Sequence, residues 1–404
     1  MRVLFLTHRL PYAPNRGDRL RAYHILQWLR DRASVELVSL VHDDEEASHV
    51  DEVRAFVPRV TTMRVGAIRN HVRAIATLAT DSPLTHTLLD APGIEAALTE
   101  IVRARRPDVV FAFGSGMGRF ALAAPLAGIP LILDLVDVDS RKWLDLAATA
   151  RAPLSWIYRR EARTLGAFET RAATEAVAAL VVNEREAEIA RQLAPAANVQ
   201  VITNGVEIER LRPPAEPSDG ERVVFCGVMN YAPNDQGIRW FINEVWPIVK
   251  ARRSGATLAI VGADPERSLQ VLCARDRSIE LTGRVPDVRP WLWESAVAIA
   301  PLHVARGVQN KALEAIACGL PIVVTSAVAA GLPKGLEPAF TISDTAPQFA
   351  QAVIEFLELP PKTRRARAVA ADLGALNWSN TLRPLESLFR DTALGPTFQP
   401  DSIL

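Results

Sequence analysis

Length, composition and charge exclude several classes of protein for this chain. Its 404 residues are too many for one ordinary core and favour two domains, and 49% hydrophobic with 23% charged residues is typical of a globular protein without extensive disorder. The 46 basic residues are balanced by 46 acidic ones, so no excess charge favours nucleic acid as a partner.

The first half of the chain alternates apolar, β-branched segments with amphipathic ones. The segments that predict strands are residues 2–7, 34–41, 59–65, 108–113, 130–135 and 178–183. Amphipathic patterns at 18–32 and 93–106 predict helices between them. Alternation of this kind predicts a parallel sheet with helices on both faces.

Residues 54–80 are basic and contain no acidic side chain. Their cations are Arg54, Arg59, Arg64, Arg69 and Arg73, with His71 as a titratable neighbour. Within them "AIRNHVRAIATLAT" is amphipathic, and a basic amphipathic helix binds anionic membrane surfaces. An ordinary solvated helix face is the alternative, and the pattern leaves both open.

Three carboxylates follow the predicted strand 130–135, in "DLVDVDSRKW". They are Asp134, Asp137 and Asp139, and the end of an apolar strand has no structural need for three. One is expected to cap a turn or a helix start. Another is a candidate for chemistry, whereas a metal pair is not favoured because no histidine accompanies them.

After a connection rich in Asn-Gly and Pro at about 199–221, the strand pattern restarts. Strands are predicted at residues 222–227, 257–262, 279–283, 296–301, 321–325 and 339–343. We therefore predict two doubly wound α/β domains, 1–203 and 204–377, facing a cleft, with a helix in 378–404 returning toward the first domain. Such sheets bind ligands at the carboxyl ends of their strands.

Cysteine usage and the N-terminal sequence are the features that bear on the cellular compartment of the protein. Cys226, Cys273 and Cys318 lie among apolar residues without CxxC spacing, which favours reduced core thiols. The apolar start of "MRVLFLTHRLPY" is too short for a signal-peptide core, and no run of 18 apolar residues occurs. We expect a cytoplasmic protein that does not span a membrane.

The segment "ARGVQNKALEAIACGLPIVVT", residues 305–325, predicts an anion site. A helix should begin after Gly307 and end at Gly319, and its first N–H groups favour an anion. Lys311 adds a cation there, while Glu314 lies on the same face as Asn310 and Lys311. A carboxylate one turn past a phosphate site can accept hydrogen bonds from both ribose hydroxyls. The alternative is a solvated Glu314 paired with Lys311.

"KALEAIACGLPIVVT" resembles the nucleotide-binding segment of retaining GT-B glycosyltransferases of family 4. That pattern is Glu, seven residues, Glu, then Ala-x-Ala-x-Gly-x-Pro-Val-Val. The resemblance continues, in the family's order, in "TNGVE" (203–207), "FCGVMNYAPNDQGIRWFINEVWPIV" (225–249), "AIVGADP" (259–265) and "LTGRVPDV" (281–288). The N-terminal half, with "LTHRLPYAPNRGDRLRAYHIL" and "DLVDVDSRKW", resembles the sugar transferase branch associated with bacterial exopolysaccharide and exosortase gene clusters.

The resemblance implies a role for each candidate residue in binding a nucleotide-sugar donor. Glu314 would hold the ribose hydroxyls, and Lys311 would neutralise the diphosphate. The backbone around Arg284 and Val285 would receive the base. The remaining residues expected at the donor are Gly17, Gly227, Asn230, Gly307, Val308, Gln309 and Asn310.

For catalysis the resemblance places a His or an Asp near the anomeric carbon, and Asp137 is the first candidate and Asp139 the second. It implies a retaining transfer that needs no metal or other cofactor. His8 and Arg9, at the end of the first strand, are further functional candidates.

One position departs from the family pattern. The first Glu of the pattern, which contacts the donor sugar, corresponds to Arg306 here, so the sugar cannot be inferred by analogy. The Arg and Lys usual after the first strand of the second domain are missing from "GVMNYAPND". Our hypothesis is that Arg306 and Lys311 neutralise the phosphates instead.

We therefore expect transfer of a sugar from a nucleotide-diphosphate sugar to a glycan or polyprenyl-linked acceptor in bacterial exopolysaccharide biosynthesis. The enzyme would work in the cytoplasm, at the inner face of the plasma membrane. Two alternatives stay open at this point. One is a nucleotide-sugar epimerase or hydrolase on the same scaffold, and the other is a non-catalytic nucleotide-sugar-binding protein.

Overall fold

The structure, a computed structural model, describes residues 1–12 and 17–394. The chain divides into two compact units: unit 1 contains Met1–Ile202 and the chain from Leu382 onward, and unit 2 contains Thr203–Thr381. Residues 378–381, predicted to leave the second domain, group with unit 2. The reason is close packing, because a Cβ on Gly205 would lie 2.7 Å from the Cα of Trp378.

Unit 1 contains a parallel sheet of seven strands within the described residues, in the order β3-β2-β1-β4-β5-β6-β7. The strands are β1 (Arg2–Thr7), β2 (Ser34–Val41), β3 (Arg59–Arg64), β4 (Val109–Phe113), β5 (Leu131–Val136), β6 (Ala178–Val181) and β7 (Val199–Val201). Six of them confirm the sequence-based predictions. The edge strand β7 was not predicted, because three half-buried residues carry too little apolar periodicity.

Helices cover the sheet of unit 1. They are α1 (Gly17–Arg30), α2 (Asp44–Ser48), α3 (Val50–Arg54), α4 (Ala67–Thr77), α5 (Leu84–Leu88), α6 (Ile94–Ala104), α7 (Ser115–Ala121), α8 (Asp139–Thr149), α9 (Leu154–Glu175) and α10 (Glu184–Leu193). Strands β1 and β4 are buried along their whole length, as expected of central parallel strands. Phe5 and Phe111 pack edge to face across them, with ring centroids 5.2 Å apart.

Unit 2 contains a second parallel sheet, in the order β10-β9-β8-β11-β12-β13. Its strands, all predicted, are β8 (Arg222–Cys226), β9 (Thr257–Val261), β10 (Ile279–Gly283), β11 (Val297–Ala300), β12 (Ile322–Val324) and β13 (Phe340–Ile342). Its helices are α11 (Ile208–Leu211), α12 (Ala232–Trp240), α13 (Trp246–Arg252), α14 (Arg267–Cys273), α15 (Arg289–Trp293), α16 (Asn310–Ala317), α17 (Ser326–Ala329), α18 (Ala346–Glu358), α19 (Pro361–Val369) and α20 (Trp378–Thr381).

The last helix, α21 (Pro384–Leu394), packs on unit 1, as predicted. The ring of Phe389 stacks on Phe111 at 5.9 Å and lies 6.1 Å from Trp28. The helix predicted within residues 378–404 is two helices in the described part of that range, α20 and α21. Pro384 explains the break, because it disfavours helical backbone in the residue before it. The predicted tail beyond residue 394 lies outside the described residues.

Candidate functional site

Glycines bring three strand ends of unit 2 into close backbone contact. Gly227 follows β8, Gly262 follows β9, and Gly283 ends β10. A Cβ on Gly262, which has φ +155°, would lie only 1.7 Å from the carbonyl oxygen of Gly227, and the Gly262 N–H donates to the Gly283 carbonyl at 3.1 Å. Only glycine fits this approach, so the carboxyl edge of the sheet presents backbone rather than side chains here.

A second close approach shapes the loop before α16. Gly307 has φ +61°, and a Cβ on Gly331 would lie 2.1 Å from the Gly307 carbonyl oxygen. Within the loop, the Gln309 side-chain amide donates to the Arg306 carbonyl at 2.9 Å. Gln309 is the N-cap residue of α16 but makes no side-chain cap bond. The first turn of α16 therefore keeps N–H groups that a ligand can use.

Lys311 lies in that first turn and is held by a residue the sequence did not single out. Its Nζ donates to Asn234 Oδ1 at 2.5 Å and lies 4.8 Å from the centroid of the Phe225 ring. Asn234 is itself buried and fixed, since its Nδ2 donates to the Val228 carbonyl at 2.8 Å. Burial lowers the pKa of Lys311 to about 8. A cation is therefore positioned where desolvation opposes its charge.

Glu314 lies one turn further along α16. Burial raises the pKa of its carboxyl group to about 7, against the opposing charges of Arg210 and Lys311. Part of the side chain remains accessible, and no hydrogen bond reaches its carboxylate from any residue that the structure describes. The neighbouring Cys226 thiol stays neutral, because burial raises its pKa to about 12. Glu314 thus has acceptor capacity that the protein does not use.

The segment "TNGVE", residues 203–207 of the predicted connection, contacts the start of α16. Asn204 of "TNGVE" is buried, and its Nδ2 donates to Asn310 Oδ1 at 3.1 Å. Three residues later Glu207 pairs with Arg210 at 2.9 Å, and both charges act on Glu314. The sequence marked this segment as a connection but did not reveal that it positions α16.

The structure brings only some of the predicted donor residues together. The segment from Arg306 to Glu314 is continuous with α16, and Gly227 joins it, since a Cβ there would lie 3.2 Å from Lys311 Nζ. Asn230 is exposed and donates to Asp264 at 3.3 Å rather than to α16. Arg284 is exposed and Val285 half-buried, in the loop after β10. In unit 1, Gly17 begins α1, and the loop 13–16 before it lies outside the described residues.

Asp134 in unit 1 is structural, as expected for one of the three carboxylates. It is fully buried and pairs with buried Arg21, whose Nε lies 2.7 Å from Asp134 Oδ2. Asp134 Oδ1 also accepts the Val136 N–H at 3.1 Å, and Arg21 Nη1 donates to the Ile202 carbonyl at 2.6 Å. This ion pair ties α1, β5 and the chain after β7 together.

Asp137 and Asp139 lie beyond it, at the entry to α8, and both are half-buried. Val136, just before Asp137, has φ +65°, an uncommon backbone conformation for a β-branched residue. Next to Asp139 lies buried Glu169, whose pKa is raised to about 8, first by burial and then by the charge of Asp139. Glu186 accepts the Val138 N–H at 2.9 Å. Buried carboxylates therefore hold the α8 entry in place.

His8 and Arg9 follow β1. The His8 ring stacks on Phe113 at 5.7 Å, and Nδ1 lies 3.4 Å from the Phe113 carbonyl oxygen. Arg9 lies 3.6 Å from the buried carboxylate of Glu46, which also accepts the N–H groups of Leu10 and His42, both at 2.9 Å. Arg9 therefore contributes to a structural ion pair, while His8 remains at the carboxyl edge of the sheet.

The residues that the structure describes contain neither a cluster of metal-ligating side chains nor a helix able to span a membrane. No group of three or more His, Cys, Asp or Glu side chains there has an arrangement that could hold a metal ion. None of the helices described above is long and apolar enough to cross a membrane.

Comparison with protein families gave one match in each half of the chain. Residues 17–205 match the model described as a glycosyl transferase 4-like domain. Residues 220–359 match the model described as glycosyl transferases group 1. No curated protein matches the chain.

Solved structures resemble the chain over nearly its whole length. HepE from Anabaena, in complex with UDP and glucose, is 16% identical, with 96% of this chain and 99% of that chain covered and a TM-score of 0.65. Sucrose-phosphate synthase from Thermosynechococcus elongatus is 15% identical, covers 96% and 98%, and has a TM-score of 0.68. Trehalose 6-phosphate synthase from Burkholderia multivorans is also 15% identical, with 97% of each chain covered and a TM-score of 0.63. At these identities the likeness establishes the two-domain fold.

Proposed function

This chain belongs to the glycosyltransferases with a GT-B fold, and from that premise we propose that unit 2 binds a nucleotide-diphosphate sugar at the start of α16. One observation carries the assignment. Lys311 and Glu314 lie one turn apart, both are partly desolvated, and their pKa values are moved toward each other, to about 8 and about 7. Charges kept in such an arrangement without full compensation are typical of functional sites.

In this proposal the diphosphate binds at the N-terminus of α16. The N–H groups from Gly307 to Asn310 and the ammonium of Lys311 neutralise the phosphates, with Arg306 as a second cation. Glu314 accepts hydrogen bonds from both ribose hydroxyls, which uses the acceptor capacity that its carboxylate retains. The loop of Arg284 and Val285 receives the base, and Gly227 and Asn230 complete the donor side.

The reaction exchanges one bond at the anomeric carbon for another. The bond to the β-phosphate oxygen breaks, the acceptor oxygen bonds to the anomeric carbon, and the acceptor proton passes to Asp137, with Asp139 as the second candidate. Negative charge grows on the leaving diphosphate, so cations and N–H groups already in place around it lower the barrier. We propose retention of configuration without a metal, on the resemblance of this segment to the retaining family.

For the acceptor we propose a glycan or polyprenyl-linked glycan of bacterial exopolysaccharide biosynthesis, used at the cytoplasmic face of the plasma membrane. The motifs "LTHRLPYAPNRGDRLRAYHIL" and "DLVDVDSRKW" support this branch. The basic residues 54–80 suit contact with an anionic membrane there. UDP-glucose is the first donor to test, because HepE from Anabaena is described in complex with it.

The test is calorimetric titration with UDP-, GDP- and ADP-sugars, followed by product analysis. We expect one nucleotide to bind and Glu314→Ala to weaken its binding at least about tenfold, because the two ribose hydroxyls then lose the carboxylate that accepts their hydrogen bonds. Arg306→Glu should weaken nucleoside diphosphate as well. Glu280→Ala, at an exposed position on β10, is the matched control.

Unchanged affinity in Glu314→Ala would refute the ribose assignment, and unchanged affinity in Arg306→Glu would refute the role of that cation. Release of free sugar at the same rate with and without acceptor glycans would refute transfer in favour of hydrolysis.

A further inference from the structure

Helix α4 has its apolar face directed to solvent. Ile68, Val72 and Ile75 are 85%, 65% and 71% exposed, and they repeat at the spacing of one helix face. On the opposite face Asn70 is fully buried, and its amide donates to the Leu88 and Asp90 carbonyls at 3.1 and 2.7 Å. A contiguous apolar face that is exposed on a helix anchored in this way indicates an interaction surface.

The end of α4 is fixed to a second exposed apolar segment. Arg160 of α9 donates to the carbonyls of Thr77, Leu78 and Ser82 at 2.7, 3.1 and 2.9 Å. Trp156, one turn before Arg160 on the same face of α9, is 66% exposed. Exposed leucines lie close to it in sequence, at the hairpin of α8 and α9: Leu144, Leu146 and Leu154.

Basic residues outnumber acidic ones around these segments although the whole chain is neutral. Residues 54–90 and 141–163 together contain eleven arginine and lysine residues and four acidic ones; Asp90 pairs with Arg73, Asp81 pairs with Arg163, and the carboxylate of Glu161 is buried. Glu161 caps α5, accepting the N–H groups of Leu84 and Thr85 at 2.7 and 2.8 Å. A partner that covers this surface is therefore both apolar and anionic.

We propose that the outer face of α4 and the α8–α9 hairpin, together called the docking face, insert into the headgroup region of an anionic lipid bilayer. Ile68, Val72, Ile75 and Trp156 enter the acyl boundary, and the arginines contact lipid phosphates. Trp and basic residues at the edge of an apolar face are typical of such interfacial helices. The proposal rests on the membrane contact proposed above for residues 54–80, and it identifies which side chains make that contact.

The experiment is flotation of the purified full-length chain with vesicles of phosphatidylcholine alone or with phosphatidylglycerol, without nucleotide. We expect binding that increases several-fold with the anionic lipid. Ile68→Ser combined with Ile75→Ser should lower the partition coefficient at least about tenfold, because two branched side chains no longer enter the acyl boundary. Ile248→Ser combined with Val271→Ser, on exposed positions of unit 2, should leave it unchanged.

Tryptophan quenching and the oligomeric state test the insertion independently of the flotation experiment. Quenching of tryptophan emission by brominated lipid should decrease in Trp156→Phe, because the inserted indole is removed. Equal flotation of the α4 variant and the unit 2 control overturns the proposal. A second outcome also overturns it: the chain does not float with vesicles, light scattering without vesicles shows a dimer, and the α4 substitutions abolish that dimer. Nucleotide titration of the same variants separates this result from the proposed function, because the docking face contains no donor residue.

Discussion

The carboxyl edges of the two sheets use buried charge in opposite ways. In unit 1 the fully buried carboxylates of Asp134, Glu46 and Glu186 each accept hydrogen bonds from backbone N–H groups, and Asp134 has Arg21 as a full counter-charge. In unit 2, and among the residues that the structure describes, Glu314 accepts no hydrogen bond and Lys311 Nζ donates only to the neutral amide of Asn234. Compensated charge at a strand end maintains architecture, whereas uncompensated charge is available to a ligand.

The energetic reason for the difference is desolvation. Removing a charge from water costs several kcal/mol unless partners inside the protein replace the lost hydration. Burial moves the pKa of Lys311 and Glu314 toward the neutral form. It raises the pKa of Asp134 as well, but there the paired Arg21 opposes the shift at hydrogen-bond distance, whereas Glu314 has no such partner among the described residues. A nucleotide diphosphate with a ribose would restore the missing partners of both groups.

The largest expected effect is on stability, at the buried ion pair of Arg21 and Asp134 in unit 1. Arg21→Leu leaves Asp134 buried without its counter-charge, and we expect the free energy of unfolding to decrease by about 3–5 kcal/mol in urea titrations. Arg191→Leu is the control, since Arg191 is exposed and lies 3.4 Å from Glu184, and it should change stability by less than about 0.5 kcal/mol. Equal stability of the two variants would remove the contrast between the units.

For Lys311 in unit 2, whose charge has no acidic partner within hydrogen-bond distance among the described residues, we predict loss of function without loss of stability. Lys311→Met removes a desolvated cation, so the unfolding free energy should not decrease, whereas kcat for transfer from the nucleotide sugar should decrease about 10²–10³-fold. That factor corresponds to about 3–4 kcal/mol of transition-state stabilisation. Lys362→Met, at an exposed position on α19, is the control. A variant that loses stability but keeps kcat would make Lys311 structural.

The smallest effect is the pH dependence of donor affinity. Glu314 is ionised above about pH 7 and Lys311 is protonated below about pH 8, so UDP-glucose should bind best between these values. Affinity should decrease by about a factor of ten, or 1.4 kcal/mol, for each pH unit outside that window. Glu314→Gln should abolish the decrease on the acidic side and leave the alkaline one. A flat profile in the parent protein would show that neither group titrates with binding.

The pKa shifts of Glu314 and Lys311 also make the folding stability depend on pH. The raised pKa of Glu314 gives a contribution that is complete below the unfolded value of 4.5 and lost as the pH rises through about 7. The lowered pKa of Lys311 gives one that is present above the unfolded value of 10.5 and lost as the pH falls through about 8. Both charged forms are thus disfavoured without a ligand in the window where binding is expected to be best.

Local patterns in the chain predicted most of the fold. Twelve strands were predicted, and each exists, because a buried parallel strand is a short apolar run that needs no knowledge of its neighbours. Strand β7 was missed because its apolar pattern is weak. The break before Pro384 was missed because the helical pattern continues across the proline. On α16, the spacing of Lys311 and Glu314 fixed their common face in advance.

What only the tertiary structure decided is how each of these charges is compensated. Arg21 meets Asp134 across 113 positions of the chain, Lys311 meets Asn234 across 77, and Asn204 meets Asn310 across 106. Sequence spacing carries no information about such partners, because they come together only when sheets and helices pack. The sequence by itself therefore determined the alternation of strands and helices and the polar face of α16. Folding determined that Asp134 is part of the architecture, while Glu314 keeps an open carboxylate.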